Sequence, residues 1–163
     1  MTDLNNEGTV DVVDLLPEEE IRICLFSIAD DTYAIPVELL AEIIIPQKVF
    51  PVPTTPSHVL GVINLRGNIV PIVDMRPALS LPQSSVTNQI AIVRFDTLTV
   101  GIVVDNVSDV VGIPKTSIQP VPTDYGSQSE STRGRFITGI IQRESKVAAL
   151  LNIERILDEI KLK

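Results

Sequence analysis

The side chains that could do chemistry are few and scattered. His58 is the single histidine, in a proline-rich stretch between Ser57 and Val59. An imidazole base needs a partner that orients it, and a surface or framework role is the plainer reading. Cys24 is the single cysteine, inside the apolar run RICLFSI, and reads as a small buried hydrophobe. One His and one Cys cannot build a tetrahedral nitrogen–sulfur metal site. Asp105 and Asp109 could supply oxygen ligands, but EF-hand spacing is absent. Neither G-x-x-x-x-G-K-[ST] nor G-x-G-x-x-G occurs, so nucleotide binding has no support. An acid–base enzyme would have to use Asp74, Asp105 or Asp109, without a His–carboxylate pair or a metal set. Asp74 and Arg76 could be read as an acid paired with a base; the plainer reading is a helix cap beside a solvated or paired arginine.

Arg66 differs in kind. It lies in GVINLRGNIVPIVDMR, residues 61–76, between Leu65 and Gly67. Two short apolar runs flank it, and Gly67 can take the positive φ that a tight hairpin requires. Arginine offers five donors in a rigid fork and is enriched at interface hot spots. From shape alone Arg66 is as well read as an ordinary exposed turn residue as a partner contact.

The elements that must position this turn are strands. The 163 residues are 44% hydrophobic but only 4% aromatic, so Val, Ile and Leu build the core. Expected strands are 21–28, 32–37, 61–65, 69–73, 89–95, 99–104, 136–141 and 146–151. Residues 38–44 and 105–111 are open between helix and strand. Pro46, Pro51, Pro53 and Pro56 predict an extended connector. Asp74 is placed to cap a short helix over 75–81, and Asn152 a terminal helix with Ile153, Ile156, Leu157 and Ile160 on one face. Residues 82–88 and 124–133 read as polar loops.

Charge is unevenly spread. Residues 1–20 hold seven acids and no base; the remainder holds 14 acids and 13 bases. The tail is expected to be a solvated, partly disordered lead-in. The near-neutral remainder lacks the basic footprint and stacking rings of a nucleic-acid binder. No apolar run approaches membrane-spanning length and no signal peptide is visible, so no membrane insertion is expected. A lone cysteine fits a reducing compartment.

The chain also repeats itself. YAIPVELLAEII from Tyr33 aligns with VGIVVDNVSDVV from Val100, an offset of 67. FPVP from Phe50 aligns with QPVP from Gln119, an offset of 69. GVINLRGNIVPIVDMRPAL from Gly61 aligns with GIIQRESKVAALLNIERIL from Gly139, an offset of 78. Two copies of a small barrel-like unit, packed with a groove between them, are the natural inference.

With these blocks in place, residues 20–163 resemble the CheW-like domain of bacterial chemotaxis coupling proteins. The resemblance implies a mainly β fold: a single domain of two interlocked, SH3-like five-stranded β-barrel subdomains with short helices, one of them C-terminal, behind an acidic tail at 1–19. It implies a cytoplasmic, non-enzymatic adaptor without cofactor or metal, recruited to membrane receptor arrays. Such adaptors join the cytoplasmic tips of methyl-accepting chemoreceptors to the regulatory domain of a CheA-type histidine kinase. A type IV pilus pathway would use the same adaptor physics. Carried over by position, Asn64, Leu65, Arg66 and Gly67 match the signature turn, and Leu40, Glu42 and Ile43 a partner-contacting segment. Val107 and Val110, with Gly101, match apolar positions of the receptor groove. Gly61, Gly101 and Asp74 are read as structural. After Arg76 the chain reads Pro-Ala-Leu-Ser-Leu where the family often has a basic residue and Phe-Gly.

Overall fold

The computed structural model describes residues 19–53, 58–82, 88–121 and 136–160, the side chains of 159 and 160 excepted. The acidic tail before Glu19, the loop at 124–133 and most of the loop at 82–88 lie outside the described residues. In chain order the elements are β1 (Glu20–Ile28), β2 (Asp31–Pro36), a 3-10 turn (Val37–Leu39) and β3 (Leu40–Ile44). Next come β4 (Val59–Leu65), β5 (Asn68–Val73), β6 (Gln89–Phe95), β7 (Leu98–Val104) and β8 (Asn106–Pro114). A second 3-10 turn (Lys115–Ser117), β9 (Ile118–Gln119), β10 (Ile137–Arg143), β11 (Lys146–Leu151) and α1 (Ile153–Ile160) follow among the described residues. The protein is mainly β, as expected, with two SH3-like subdomains; their sheets hold six and five strands, in the orders β8-β1-β2-β11-β10-β9 and β3-β6-β7-β5-β4.

The repeat is preserved down to register. Phe26 pairs with Val107 and Cys24 with Val110 across β1–β8. Val93 pairs with Leu40 and Ala91 with Ile43 across β6–β3, each position 67 residues away from its counterpart. Both ladders carry a bulge at the same step. The parallel pairs agree too: Ile72 opposite Gly101, and Leu150 opposite Ala34. Phe50 bridges Val62 as Gln119 pairs with Ile140, which bears out the offset of 69 between the two proline-rich segments.

The halves nevertheless do not fold as separate units. The β1–β2 hairpin of the first repeat sits in one sheet with β8 to β11 of the second. The β6–β7 hairpin of the second repeat sits with β3 to β5 of the first. Each copy lends its leading hairpin to the other. Three apolar clusters follow from this. Ile23, Leu25, Ala34, Ile141, Ala148 and Leu150 fill the six-stranded subdomain. Ile63, Leu65, Val70, Ile72, Ile90 and Ile92 fill the five-stranded one. The largest cluster draws from both sheets and α1, including Phe26, Tyr33, Val93, Ile102, Leu151 and Ile156. The interior of the interface, where the repeat suggests a groove, is therefore packed. β1 feeds alternate residues to two clusters, which is why it is apolar on both faces.

Both ambiguous segments resolve largely as strand. Residues 38–44 divide between the end of a 3-10 turn and β3, and 106–111 belong to β8. The helix expected over 75–81 is absent: the segment is a succession of turns. Leu79 N–H donates to the Met75 carbonyl at 2.9 Å, but Leu81 N–H reaches back five residues to Arg76 at 2.8 Å. Ser80 takes φ 60° and ends any helical run. Pro77 lacks an N–H, and Met75 and Leu79, both 0% exposed, are held by packing. The terminal helix does form, and Asn152 Oδ1 accepts the Arg155 N–H at 3.0 Å as its cap.

Candidate partner-binding surface

The Arg66 turn is built locally. Leu65 pairs with Asn68, leaving the two-residue loop Arg66–Gly67. Both loop residues have positive φ, 52° and 89°, the pattern whose twist matches the strands it joins. Asn64 Oδ1 accepts the Gly67 N–H at 2.8 Å and holds the turn closed. Leu65, 7% exposed, points into the five-stranded core and has no side chain to offer a partner. Of the four signature residues, Arg66 therefore carries the exposed charge, its side chain 66% exposed.

β3 and β4 are the outer strands of the five-stranded sheet. Glu42, on β3, forms an ion pair with Arg66, at the tip of β4–β5. Residues 24 apart in sequence are thus brought together across the seam of the small barrel. Leu40 is half-buried against the shared core, while Ile43 is exposed. In the second repeat Asp109 and Glu144 occupy the equivalent places. Two acids cannot form such a clasp. Val107 is half-buried against the shared core and Val110 is exposed, on β8 of the other sheet. The structure thus groups Glu42, Ile43 and the Arg66 turn on one subdomain and places Val107 and Val110 on the other.

Two surface cavities sit at equivalent places in the repeats. One, of about 540 Å3, is lined by Arg66, Ile69, Arg94, Leu98 and Thr99 among others, and by no acid. The other, of about 290 Å3, has Thr32 and Val147 where the first has Thr99 and Ile69, but mixes Asp109 and Glu144 with Arg143 and Lys146. The shared framework carries different charge on its two copies.

Gly61 and Gly101 have structural reasons. Gly61 has φ 149°, and a Cβ there would land on the Phe50 carbonyl, which bonds to the Val62 N–H at 2.9 Å. A Cβ on Gly101 would lie 2.6 Å from Ile72 Cδ1 and 2.9 Å from Ile90 Cγ2, inside the five-stranded core.

The buried charges form a cluster that the sequence reading missed. Arg76 is 1% exposed and paired, so of the two readings left open for it, solvated or paired, the second holds. Asp74 Oδ1 accepts from the Arg76 backbone N–H at 3.0 Å and from its Nη1 at 3.3 Å. Arg76 Nη2 also pairs with Asp105. Asp105 Oδ2 in turn accepts the Ala29 N–H at 2.6 Å, at a turn residue with φ 57°. One guanidinium therefore ties the end of β5, the β7–β8 link and the β1–β2 turn, joining both sheets. Asp74 keeps its capping geometry but caps a turn. Asp74 and Asp105, two candidate acids of an acid–base enzyme, are spent on this ion pair; Asp109 is exposed and accepts its neighbour Val110's N–H at 2.8 Å. The Asp74–x–Arg76 spacing was a visible signal; the contribution of Asp105 was not.

His58 contributes its carbonyl to the Asp74 N–H at 2.8 Å. Burial raises the Cys24 thiol above its ordinary value. Among the described residues no group of three His, Cys, Asp or Glu could hold a metal ion, and no helix is long and apolar enough to cross a membrane.

Comparison with known proteins agrees with this architecture. The family model described as the CheW-like domain matches residues 22–161. Chemotaxis protein CheW of Helicobacter pylori is 32% identical, over 86% of this chain and 83% of the relative. Chemotaxis protein CheW of Klebsiella aerogenes is 33% identical, over 82% of this chain and 79% of the relative. The crystal structure of the scaffolding protein TtCheW from Thermoanaerobacter tengcongensis superposes with TM-score 0.73 at 26% identity, covering 82% of this chain and 89% of that one. On the match across 22–161 and relatives above 30% identity, the chain belongs to the CheW-like domain family.

Proposed function

We propose that the chain is a non-enzymatic chemotaxis adaptor that couples the cytoplasmic tips of methyl-accepting chemoreceptors to the regulatory domain of a CheA-type histidine kinase, working in the cytoplasm at receptor arrays. The observation that carries this reading is the Arg66 turn. A charged fork, 66% exposed, stands on a two-residue loop braced by Asn64 and Glu42, in a family whose named relatives are chemotaxis and scaffolding proteins. A rigid, pre-oriented arginine loses little freedom on docking, which favours it as an anchor. Exposed Ile43 and Val110 would supply apolar contact, one on each subdomain. Leu65, Leu40 and Val107 would act through the framework, by holding those residues in place.

The test is co-precipitation of the Arg66→Ala chain with a receptor-tip fragment and, separately, with the kinase regulatory domain. Loss of about 2 kcal/mol, roughly 30-fold in affinity, is expected for at least one partner, as for a hot-spot arginine. Unchanged binding to both would remove Arg66 from the contact surface.

A further inference from the structure

The cavity on the five-stranded subdomain is chemically specific. Its lining includes two cations, Arg66 and Arg94, and no acid, and it exposes Ile69 (65%) and Leu98 (37%). Arg66 is engaged by Glu42, whereas Arg94 is exposed and makes no ion pair among the described residues. The equivalent cavity on the other subdomain carries both signs of charge. A ligand suited to the first and not the second is acidic and apolar together.

The chain itself contains such a segment. Residues 10–16 read Val-Asp-Val-Val-Asp-Leu-Leu: five apolar residues interrupted by two acids, followed by Pro17 and three glutamates. A tail held in water by charge alone does not need five apolar residues in seven. Its anchor is favourably placed. Glu19 lines one surface pocket with Val37 and Glu38 and pairs with Lys115 at 3.3 Å. Glu38 leads within two residues to Leu40, which pairs with Val93, the neighbour of Arg94. By residue rise and strand spacing the path from Glu38 to Arg94 is on the order of 15 Å. Asp14 and Asp11 stand five and eight residues before Glu19 and can reach about 17 and 27 Å from it, so the acids of the segment can arrive at Arg94.

We infer that the Arg66–Arg94 face is the docking site of this chain's own acidic, apolar segment at residues 10–16. Val and Leu side chains cover Ile69 and Leu98, and Asp11 or Asp14 meets Arg94. The segment then shields the face that presents Arg66, and any acidic partner of that face competes with it. The inference is separable from the adaptor reading, because occupancy is measured without any other protein.

The experiment uses the full chain, isotopically labelled, with a nitroxide on Thr9→Cys; Cys24 is buried and stays unlabelled. Amides of residues 66–70 and 94–99 should lose most of their intensity to paramagnetic broadening. Those of residues 144–148, at the equivalent cavity, should keep theirs. Arg94→Glu should abolish the loss, and Arg94→Glu with Asp11→Arg should restore it. Absence of broadening, broadening centred on residues 144–148, or indifference to Arg94→Glu would each overturn the inference. So would broadening seen only between labelled and unlabelled copies, which would place the segment on a second molecule.

Discussion

Arg76→Met tests the buried ion pair most directly. Methionine keeps the length and most of the apolar stem of arginine while removing the charge. Two carboxylates are then left without their cation. Their surroundings decide the cost. The Asp105 side chain is 25% exposed and can be rehydrated, while Asp74, at 9%, cannot. Breaking a buried pair costs about 3–5 kcal/mol when the orphaned charge is fully enclosed. With one acid enclosed and the other partly wet, the lower end applies, about 3 kcal/mol. For a chain of this size that lowers Tm by roughly 6–12 °C. Calorimetry of the two chains gives the number, and hydrogen exchange locates it. The Ala29 amide donates to Asp105, so its exchange should accelerate well beyond that of neighbouring β1 amides. A loss below about 1 kcal/mol, typical of an exposed pair, would refute the claim that this cluster joins the two sheets.

Other outcomes follow from single positions. Gly61→Ala forces a Cβ onto the Phe50 backbone at φ 149° and should prevent accumulation of folded protein, whereas Gly101→Ala meets the buried side chains of Ile72 and Ile90 rather than backbone and should cost less; soluble yield and Tm rank the two. Arg66→Gly relieves a left-handed residue by about 1 kcal/mol and gives up an exposed ion pair worth up to about 1 kcal/mol, so chemical denaturation should show little net change while partner binding falls. Cys24 holds its proton more tightly when folded than unfolded, so its contribution is intact below the ordinary value of 9.0 and is lost as pH rises above it; the Tm decline above that pH should be shallower in Cys24→Ala.

The hairpin around Arg66 was legible because its signals are local: apolar alternation on both sides of a glycine-bearing turn. The same alternation places Leu65 on the face of Ile63, and so already marks Leu65 as core. The repeat was legible even to the bulges, since matched strands need matched apolar positions. Which copy each hairpin joins was not, because exchanged and unexchanged pairings present the same residues to equivalent neighbours. The missing helix at 75–81 shows a similar limit: Met75 and Leu79 have helical spacing, yet Pro77 and packing favour turns. Arg76 was read as solvated or paired because its partner Asp105 stands 29 residues away, at the end of a strand in another repeat.

The exchange of hairpins has a consequence for how the chain assembles. Neither sheet can close until strands from both repeats exist, and the six-stranded sheet joins β2 to β11, so its central pairing waits for nearly the whole polypeptide. Folding is thereby dominated by distant partners, a route expected to be slow. A polypeptide carrying one repeat could reproduce this exchanged pairing only by trading hairpins with a second molecule, at a rate set by its concentration. Carrying both repeats on one thread turns that encounter into an internal one, independent of dilution.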